Sequence, residues 1–319
     1  AEEQAVTYDL SEGSVTISTD GTYIITQSDS TATTNNITVE AGVNADITLS
    51  GVNIDVSGQD YVCAFKIADN STGNVTVILA ANTENTLKSG ASSAGLQKNG
   101  SGEGIGTLTI TGEGSLTTNG GYGGAGIGGG DAETQWSGNG TNITIRGGTV
   151  TANGGDYGAG IGGGDQGSGS NITISGGNVT ANGGDLGSGI GGGRAASQWS
   201  GNGTNITISG GVVTANGGYF GAGIGGGDRG NGSNITISGG TVTANGRNGG
   251  AGIGNGDSPY DGNNSGIVIN GGSVKANSIA NAQPTDGNKN NVYLLTLSNG
   301  NDETIVIDDK VYAPVNGFR

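Results

Sequence analysis

The amino-acid sequence predicts an all-β fold: a right-handed, single-stranded parallel β-helix, or solenoid, with triangular coils of about 29 residues and a cap at each end. Three observations predict it. A glycine-rich phrase recurs five times, strand-like phrases recur in step with it, and no segment joins a helix start signal to a 3.6-residue apolar period. The phrase Gly-Ala-Gly-Ile-Gly-Gly-Gly occupies residues 124–130 and returns, slightly altered in places, at 158–164, 187–193, 221–227 and 250–256.

The strand-like phrases set the period of the repeat. Copies of Asn-Ile-Thr-Ile begin at Asn142, Asn171, Asn205 and Asn234, and a degenerate copy begins at Gly266. Their spacings are 29, 34, 29 and 32 residues. Because 29 and 34 alternate, the duplicated unit has 63 residues, and residues 131–193 align with 194–256 without a gap. The sequence therefore predicts a copied module of two coils.

One coil is represented by residues 171–193, which hold three short strand-like phrases separated by glycine-rich corners. Strand side chains alternate between faces, so Thr173 and Thr180 are predicted to point outward. Three strands and three corners make a triangular coil, and coils stacked at about 4.8 Å make a parallel β-helix. The residues predicted to point inward are Ile172, Ile174, Val179, Ala181 and Ile190.

The remaining segments complete one predicted domain over residues 1–319. Residues 1–36 are interpreted as an N-terminal cap, 37–280 as coils, and 281–319 as C-terminal cap strands and a tail. Within the last part, 291–297 and 304–307 are predicted to form a hairpin-like pair. Asparagines that recur eight residues before the inward isoleucine of the glycine phrase predict a stacked ladder at one corner: Asn119, Asn153, Asn182, Asn216 and Asn245.

Composition limits the partners. A formal net charge of −16 disfavours nucleic acid and anionic membrane surfaces, and it makes a divalent cation such as Ca²⁺ a plausible companion. No apolar run approaches the roughly 20 residues of a membrane helix, so we expect no membrane insertion. The single cysteine, Cys63, is expected to be a buried core residue.

Location and chain organisation follow from the ends and the composition. Richness in Asn, Thr, Gly and Ser favours a secreted, extracellular protein, and Ala1 to Gln4 is typical of a terminus left by signal-peptide removal. Arg319 follows a loop-like phrase. We therefore expect a monomer or one part of a longer multidomain chain.

A family resemblance is carried by Asp20-Gly21-Thr22-Tyr23, by the phrase at 47–54, by the phrase at 83–87 and by the glycine copies. Together they resemble the carbohydrate-binding-domain-containing β-helix proteins of Gram-positive, clostridia-like bacteria, over about residues 8–300. The resemblance implies a secreted or cell-surface right-handed β-helix that is related in shape to pectate lyases and binds polysaccharide, in some members with calcium. It supplies no catalytic motif.

Two long corners carry both tryptophans of the chain. Trp136 and Trp199 are 63 residues apart, with Gln135 and Gln198 directly before them. Two coils of separation place the rings about 10 Å apart. A platform for stacking sugar rings is one hypothesis, and the alternative is that each tryptophan covers its own glycine-rich loop.

Two further columns contain candidate ligands. Tyr157, Leu186 and Phe220 recur four residues after the ladder asparagines, with Tyr122 and Tyr219 one place earlier; they are read as an apolar stripe or, for Tyr157 and Phe220, as part of a sugar site. The other column follows the glycine phrases, where stacked carboxylates repel unless a cation or Arg194 lies between them. It predicts either a salt-bridged ladder or Ca²⁺ ligands at Asp131, Asp165, Asp228 and Asp257.

The sequence favours a non-catalytic polysaccharide-binding or adhesion module whose partner is a plant cell-wall or host glycan. Histidine is absent, so no Ser-His-Asp or Cys-His arrangement can form. A calcium-dependent polysaccharide lyase is the alternative if the protein is an enzyme. A second alternative is an ice- or surface-binding solenoid, because ranks of outward threonine arise on such a rod, although threonine also suits strands.

Overall fold

The computed structural model describes residues 4–130, 138–195, 201–257 and 266–279, and the backbone of three short strands at 296–297, 305–307 and 310–312. Its regular elements over these ranges are all strands, as predicted. Parallel pairing of successive coils makes the chain a β-solenoid. Seven turns separate Ile37 from Ile253, and their mean length of roughly 31 residues is close to the predicted 29. No helix over the described ranges is long and apolar enough to cross a membrane.

Each coil has three sides, which we call the first, second and third sides in chain order within a repeat. The first side stacks Val6–Asp9, Gly21–Thr26, Ala45–Ser50, Val75–Leu79, Leu108–Gly112, Gly140–Ile145, Gly169–Ile174 and Gly203–Ile208. The second side stacks Asn53–Asp55, Glu84–Lys88, Ser115–Asn119, Thr149–Asn153, Asn178–Asn182 and Val212–Asn216. Two longer strands, Gly232–Asn245 and Val268–Ala276, run through both of these sides.

The third side is a separate nine-stranded parallel sheet. Its strands are Val15–Ile17, Ile37–Val39, Phe65–Ile67, Leu96–Lys98, Ile127–Gly128, Ile161–Gly162, Ile190–Gly191, Ile224–Gly225 and Ile253–Gly254. Glycine is required here because the backbones of adjacent coils approach closely. A Cβ on Gly162, whose φ is +133°, would collide with the carbonyl oxygen of Gly191. The glycine phrase is therefore part of the scaffold.

The core is a narrow apolar column along the solenoid axis. All five residues predicted to point inward from residues 171–193 are fully buried, whereas Thr173 and Thr180 lie on the outer surface. Cys63 is also buried, as expected, and its thiol contacts Oε1 of Gln97 at 3.0 Å. Burial raises the pKa of this thiol to about 11.

Asparagine ladders brace two positions of the coils. The predicted ladder at 119, 153, 182, 216 and 245 is confirmed, since each side-chain amide after that of Asn119 donates to the asparagine amide oxygen of the preceding coil at 2.8–2.9 Å. A second ladder of Asn142, Asn171, Asn205 and Asn234, bonded at 3.0–3.2 Å, was not predicted. Its members have φ of 52–55°, a left-handed conformation that asparagine tolerates better than most residues.

The two ends differ in detail from the expected caps. Strands 6–9 and 15–17, inside the segment interpreted as an N-terminal cap, pair in parallel with the next coil and so already belong to the solenoid sheets. At the other end, the described parts of the predicted hairpin-like pair, 296–297 and 305–307, run parallel to a common neighbour instead. Thr296–Leu297 and Ile305–Ile307 both pair in parallel with Val268–Ala276, and the antiparallel partner of Ile305–Ile307 is Lys310–Tyr312.

Candidate functional site

The corner between the second and third sides gathers aromatic and charged side chains from successive coils. Tyr122, Asp156, Asp185 and Tyr219 occupy equivalent positions in four consecutive coils, and we call this set the corner column. Each of their carbonyl oxygens accepts a hydrogen bond, of 2.7–3.1 Å, from the backbone of the coil before it. The column is therefore fixed by the same ladder that stacks the coils.

The residue after each member of the corner column makes the turn. Gly123, Tyr157, Leu186 and Phe220 have φ of 78°, 75°, 70° and 67°, in the left-handed region. Bulky side chains adopt this conformation only at a cost of about 1–3 kcal/mol each, and such strain clusters at ligand sites. Tyr157 and Phe220, which were predicted as ligand contacts, therefore lie at strained corner positions and are half-buried.

These half-buried rings support the more exposed tyrosines of the corner column. The Tyr122 and Tyr157 rings meet edge to face at 5.2 Å, and those of Tyr219 and Phe220 at 4.4 Å. Tyr122 is 53% exposed and Tyr219 is 42% exposed. A hydrogen bond to Tyr157 raises the pKa of the Tyr122 hydroxyl. The corner thus presents two braced rings to solvent.

An ion pair between Arg194 and Asp165 lies beside the ring pair of Tyr122 and Tyr157. Arg194 donates from Nε to Oδ1 of Asp165 at 2.8 Å and from Nη2 to Oδ2 at 2.6 Å, and its guanidinium lies 4.0 Å from the centre of the Tyr157 ring. Asp165 is buried, so the bidentate geometry compensates the carboxylate for lost hydration. For the column of residues that follow the glycine phrases, the predicted salt bridge is therefore confirmed between Asp165 and Arg194.

The later carboxylates among the residues that follow the glycine phrases, Asp228 and Asp257, are less completely paired. Asp228 lies 3.7 Å from Nε of Arg229, and burial, with the negative charge of Asp257, raises the pKa of Asp228. Asp257 is exposed. The described part of the chain contains no group of three or more His, Cys, Asp or Glu side chains arranged to hold a metal ion. Calcium binding at Asp165, Asp228 and Asp257 stays a prediction.

Several predicted site residues lie outside the described residues: Asp131, Gln135, Trp136, Gln198 and Trp199. Their flanking residues are described. Gly130 and Gly138 flank one of these segments, and Ala195 and Gly201 flank the other; all four follow strands of the third side in the chain. The proposed stacking platform of two tryptophans therefore stays a prediction.

The sequence interpretation passed over the most exposed part of the corner. Tyr122 and Tyr219 were noted only as neighbours of the stripe, and Asp156 and Asp185 were not selected. The available signal was the position directly before each left-handed residue, which reads Tyr, Asp, Asp, Tyr while the surrounding glycines repeat. Recognising it required knowing which residue turns at the corner.

Outward threonines form two uninterrupted ranks. Arg146, Asn178 and Val212 lie in neighbouring columns and do not interrupt these ranks. All twelve threonines are half-buried. The first side carries Thr76, Thr109, Thr144, Thr173, Thr207 and Thr236 in direct register. The second side carries Thr86, Thr117, Thr151, Thr180, Thr214 and Thr243.

Comparison with known proteins supports the fold. Five segments, residues 108–131, 143–165, 172–194, 206–228 and 235–257, match the family described as beta helix repeat. Each matched segment runs from a first-side strand to the residue after a glycine phrase. No curated protein and no solved structure matches the chain.

Proposed function

We propose that this solenoid is a non-catalytic, extracellular polysaccharide-binding or adhesion module of a bacterial cell surface. The observation that carries the proposal is the pair of half-exposed rings, Tyr122 and Tyr219, held in one column by neighbouring aromatic side chains. The apolar face of a sugar ring packs on such a tyrosine while its hydroxyls remain available for hydrogen bonds. The resemblance to carbohydrate-binding β-helix proteins supports the same function.

The spacing of the column suits an extended chain of sugars. Tyr122 and Tyr219 are three coils apart, so about 14 Å of the corner separates their backbones. Asp156 and Asp185 lie between them, and both are exposed. Carboxylate oxygens accept hydrogen bonds, which sugar hydroxyls donate. A glycan lying along the corner would therefore meet a ring, two acceptors and a second ring in order.

Bracing of the rings favours affinity. Because Tyr157 and Phe220 hold the outer rings by edge-to-face contacts, little side-chain freedom is lost when a ligand binds. Trp136 and Trp199, in the segments that follow the third side, extend this proposal as a prediction. The ion pair with Asp165 weighs against the calcium-dependent lyase, since it commits Arg194, one of the basic residues that such an enzyme could use.

Retention on insoluble polysaccharides tests the proposal. The double variant Tyr122→Ala/Tyr219→Ala is expected to lose at least tenfold in affinity for a retained polysaccharide, because central aromatic contacts dominate such interfaces. Tyr8→Ala is the matched control, since Tyr8 is an exposed tyrosine on the first side. Equal loss in the control, or unchanged retention of the double variant, would place binding elsewhere.

A second candidate function rests on the two threonine ranks. Their hydroxyl-bearing side chains repeat in register at about 4.8 Å along the axis on both the first and second sides. An ordered surface such as ice would match such an array. Thr173→Lys/Thr180→Lys is expected to abolish any thermal hysteresis, whereas Thr38→Lys on the third side leaves it unchanged; absence of hysteresis in the unmodified protein ends this candidate.

A further inference from the structure

The corner column places two negative charges between its two tyrosines. Asp156 and Asp185 are exposed and occupy consecutive coils, so their backbones are about 4.8 Å apart. Neither is needed for the turn, which is made by the residue that follows each of them. The two carboxylates therefore face whatever lies along the column.

The guanidinium groups near the column do little to offset these charges. Arg194 directs two of its nitrogens at Asp165, and Arg229 lies 3.7 Å from Asp228. Arg247 occupies the next position after Tyr219, since its carbonyl oxygen accepts a hydrogen bond from the backbone N–H of Phe220 at 3.1 Å, and its guanidinium carbon lies 6.0 Å from the centre of the Tyr219 ring, beyond the two aspartates. The whole chain carries a formal net charge of −16. A ligand on the column therefore meets a negative potential.

We infer that the corner column binds an uncharged polysaccharide and rejects carboxylated ones, and that Asp156 and Asp185 set this preference; the inference rests on the proposed function. Each carboxylate accepts hydrogen bonds from sugar hydroxyls when the ligand is neutral. The same groups repel the carboxylates of a uronate polymer. Hydroxyl recognition and charge discrimination thus come from the same two side chains.

The size of the preference follows from Coulomb's law. Two unit charges about 4 Å apart in water repel by an amount that corresponds to roughly a fivefold change in affinity, and the effect fades as salt shortens the screening length. With two carboxylates in the column, we expect a preference of at least fivefold for the neutral polymer at low ionic strength. The preference should shrink as salt approaches 1 M, where the screening length falls to about 3 Å.

Two matched pairs of polymers provide the probes. One pair is hydroxyethylcellulose and carboxymethylcellulose, and the other is polygalacturonan in its highly methyl-esterified and de-esterified forms. Affinity electrophoresis of the unmodified protein at low salt is expected to show retardation by a neutral member and at least fivefold weaker retardation by its charged counterpart. Stronger retardation by the charged member would overturn the inference and leave the proposed function standing. Retardation by none of the four polymers would count against both.

Variants assign the preference to its residues. Asp156→Asn/Asp185→Asn is expected to remove the preference, and Asp156→Lys/Asp185→Lys to reverse it. Asp46→Asn is the control, because it removes an exposed charge on the first side. Circular dichroism establishes that each variant retains the solenoid. If both double variants still prefer the neutral polymers, the net charge of the protein sets the preference and the corner column does not. That result would contradict the inference.

Discussion

Replacing Lys98 with methionine is expected to stabilise the solenoid at neutral pH, because this lysine lies inside the core. Its side chain is 0% exposed, and its Cα partner in the preceding coil is the buried Ile67. Among the described residues, Nζ of Lys98 has no hydrogen-bond partner. A buried ammonium without partners carries an unfavourable desolvation free energy.

The expected gain in the free energy of unfolding follows from the pKa of Lys98. Burial lowers the pKa of Lys98 from 10.5 to about 8, partly opposed by the negative charge of Asp69. Because one pKa unit corresponds to 1.36 kcal/mol, the charged amine costs the fold about 3 kcal/mol at pH 7. Methionine has a similar length and no charge, so Lys98→Met should recover about that amount.

The difference between the pKa of Lys98 in the folded and unfolded states determines how the stabilisation by Lys98→Met changes with pH. Between pH 8 and 10.5 the unfolded state binds more protons at this residue than the folded state does, so the stability of the unmodified protein rises with pH. The advantage of Lys98→Met is therefore complete below pH 8 and disappears above pH 10.5. Between pH 7 and pH 9 it should shrink by about 1 kcal/mol.

Urea unfolding followed by circular dichroism at pH 7 and pH 9 measures both effects. The control is Lys66→Met, because Lys66 lies on the same side of the preceding coil but its side chain is 40% exposed and pairs with Asp69 at 3.7 Å. Its effect should stay within about 0.5 kcal/mol. Destabilisation by Lys98→Met, or a gain that is equal at the two pH values, would refute the reasoning.

Four other predictions concern the scaffold and the ions. Gly162→Ala should cost more than about 3 kcal/mol in urea unfolding, because a Cβ there meets backbone at positive φ, whereas Gly58→Ala, which has open space, should be within about 0.5 kcal/mol. Asn182→Ala should cost about 2 kcal/mol, because it removes two ladder hydrogen bonds; equal stability would make the ladder incidental. Asp165→Asn should lower stability by about 3 kcal/mol in the presence of chelator, since it leaves Arg194 without its ion-pair partner. Calcium should raise the melting temperature of the unmodified protein, and an identical melting temperature in chelator would argue against bound calcium.

The sequence predicted those parts of the fold that depend on local alternation and repetition. Ile172 and Thr173 face opposite ways because strand side chains alternate, and Asn182 bonds to the next coil because its equivalents recur at the coil period. The terminal pairings were less predictable. Ile305–Ile307 pairs in parallel with Val274–Ala276, a contact between segments about thirty residues apart that no local turn signal encodes.

The corner column was hidden from the sequence for a related reason. A left-handed φ at Tyr157 or Phe220 is unusual for aromatic residues, so sequence patterns do not anticipate it. Without that turn, Tyr122 and Asp156 are two unrelated positions in different coils. Only the backbone ladder, with Gly123 donating to the carbonyl of Asp156, places them side by side.

The internal repeats themselves indicate where the chain was free to specialise. Inward positions repeat without change across four coils, as at Val150, Val179, Val213 and Val242, because the packed core tolerates little variation in volume. The corner column instead reads Tyr, Asp, Asp, Tyr in coils whose backbones superimpose in register. Packing does not impose that order, since these side chains are exposed. A copied scaffold whose copies differ at one exposed corner is the pattern expected when the corner, and not the rod, meets the ligand.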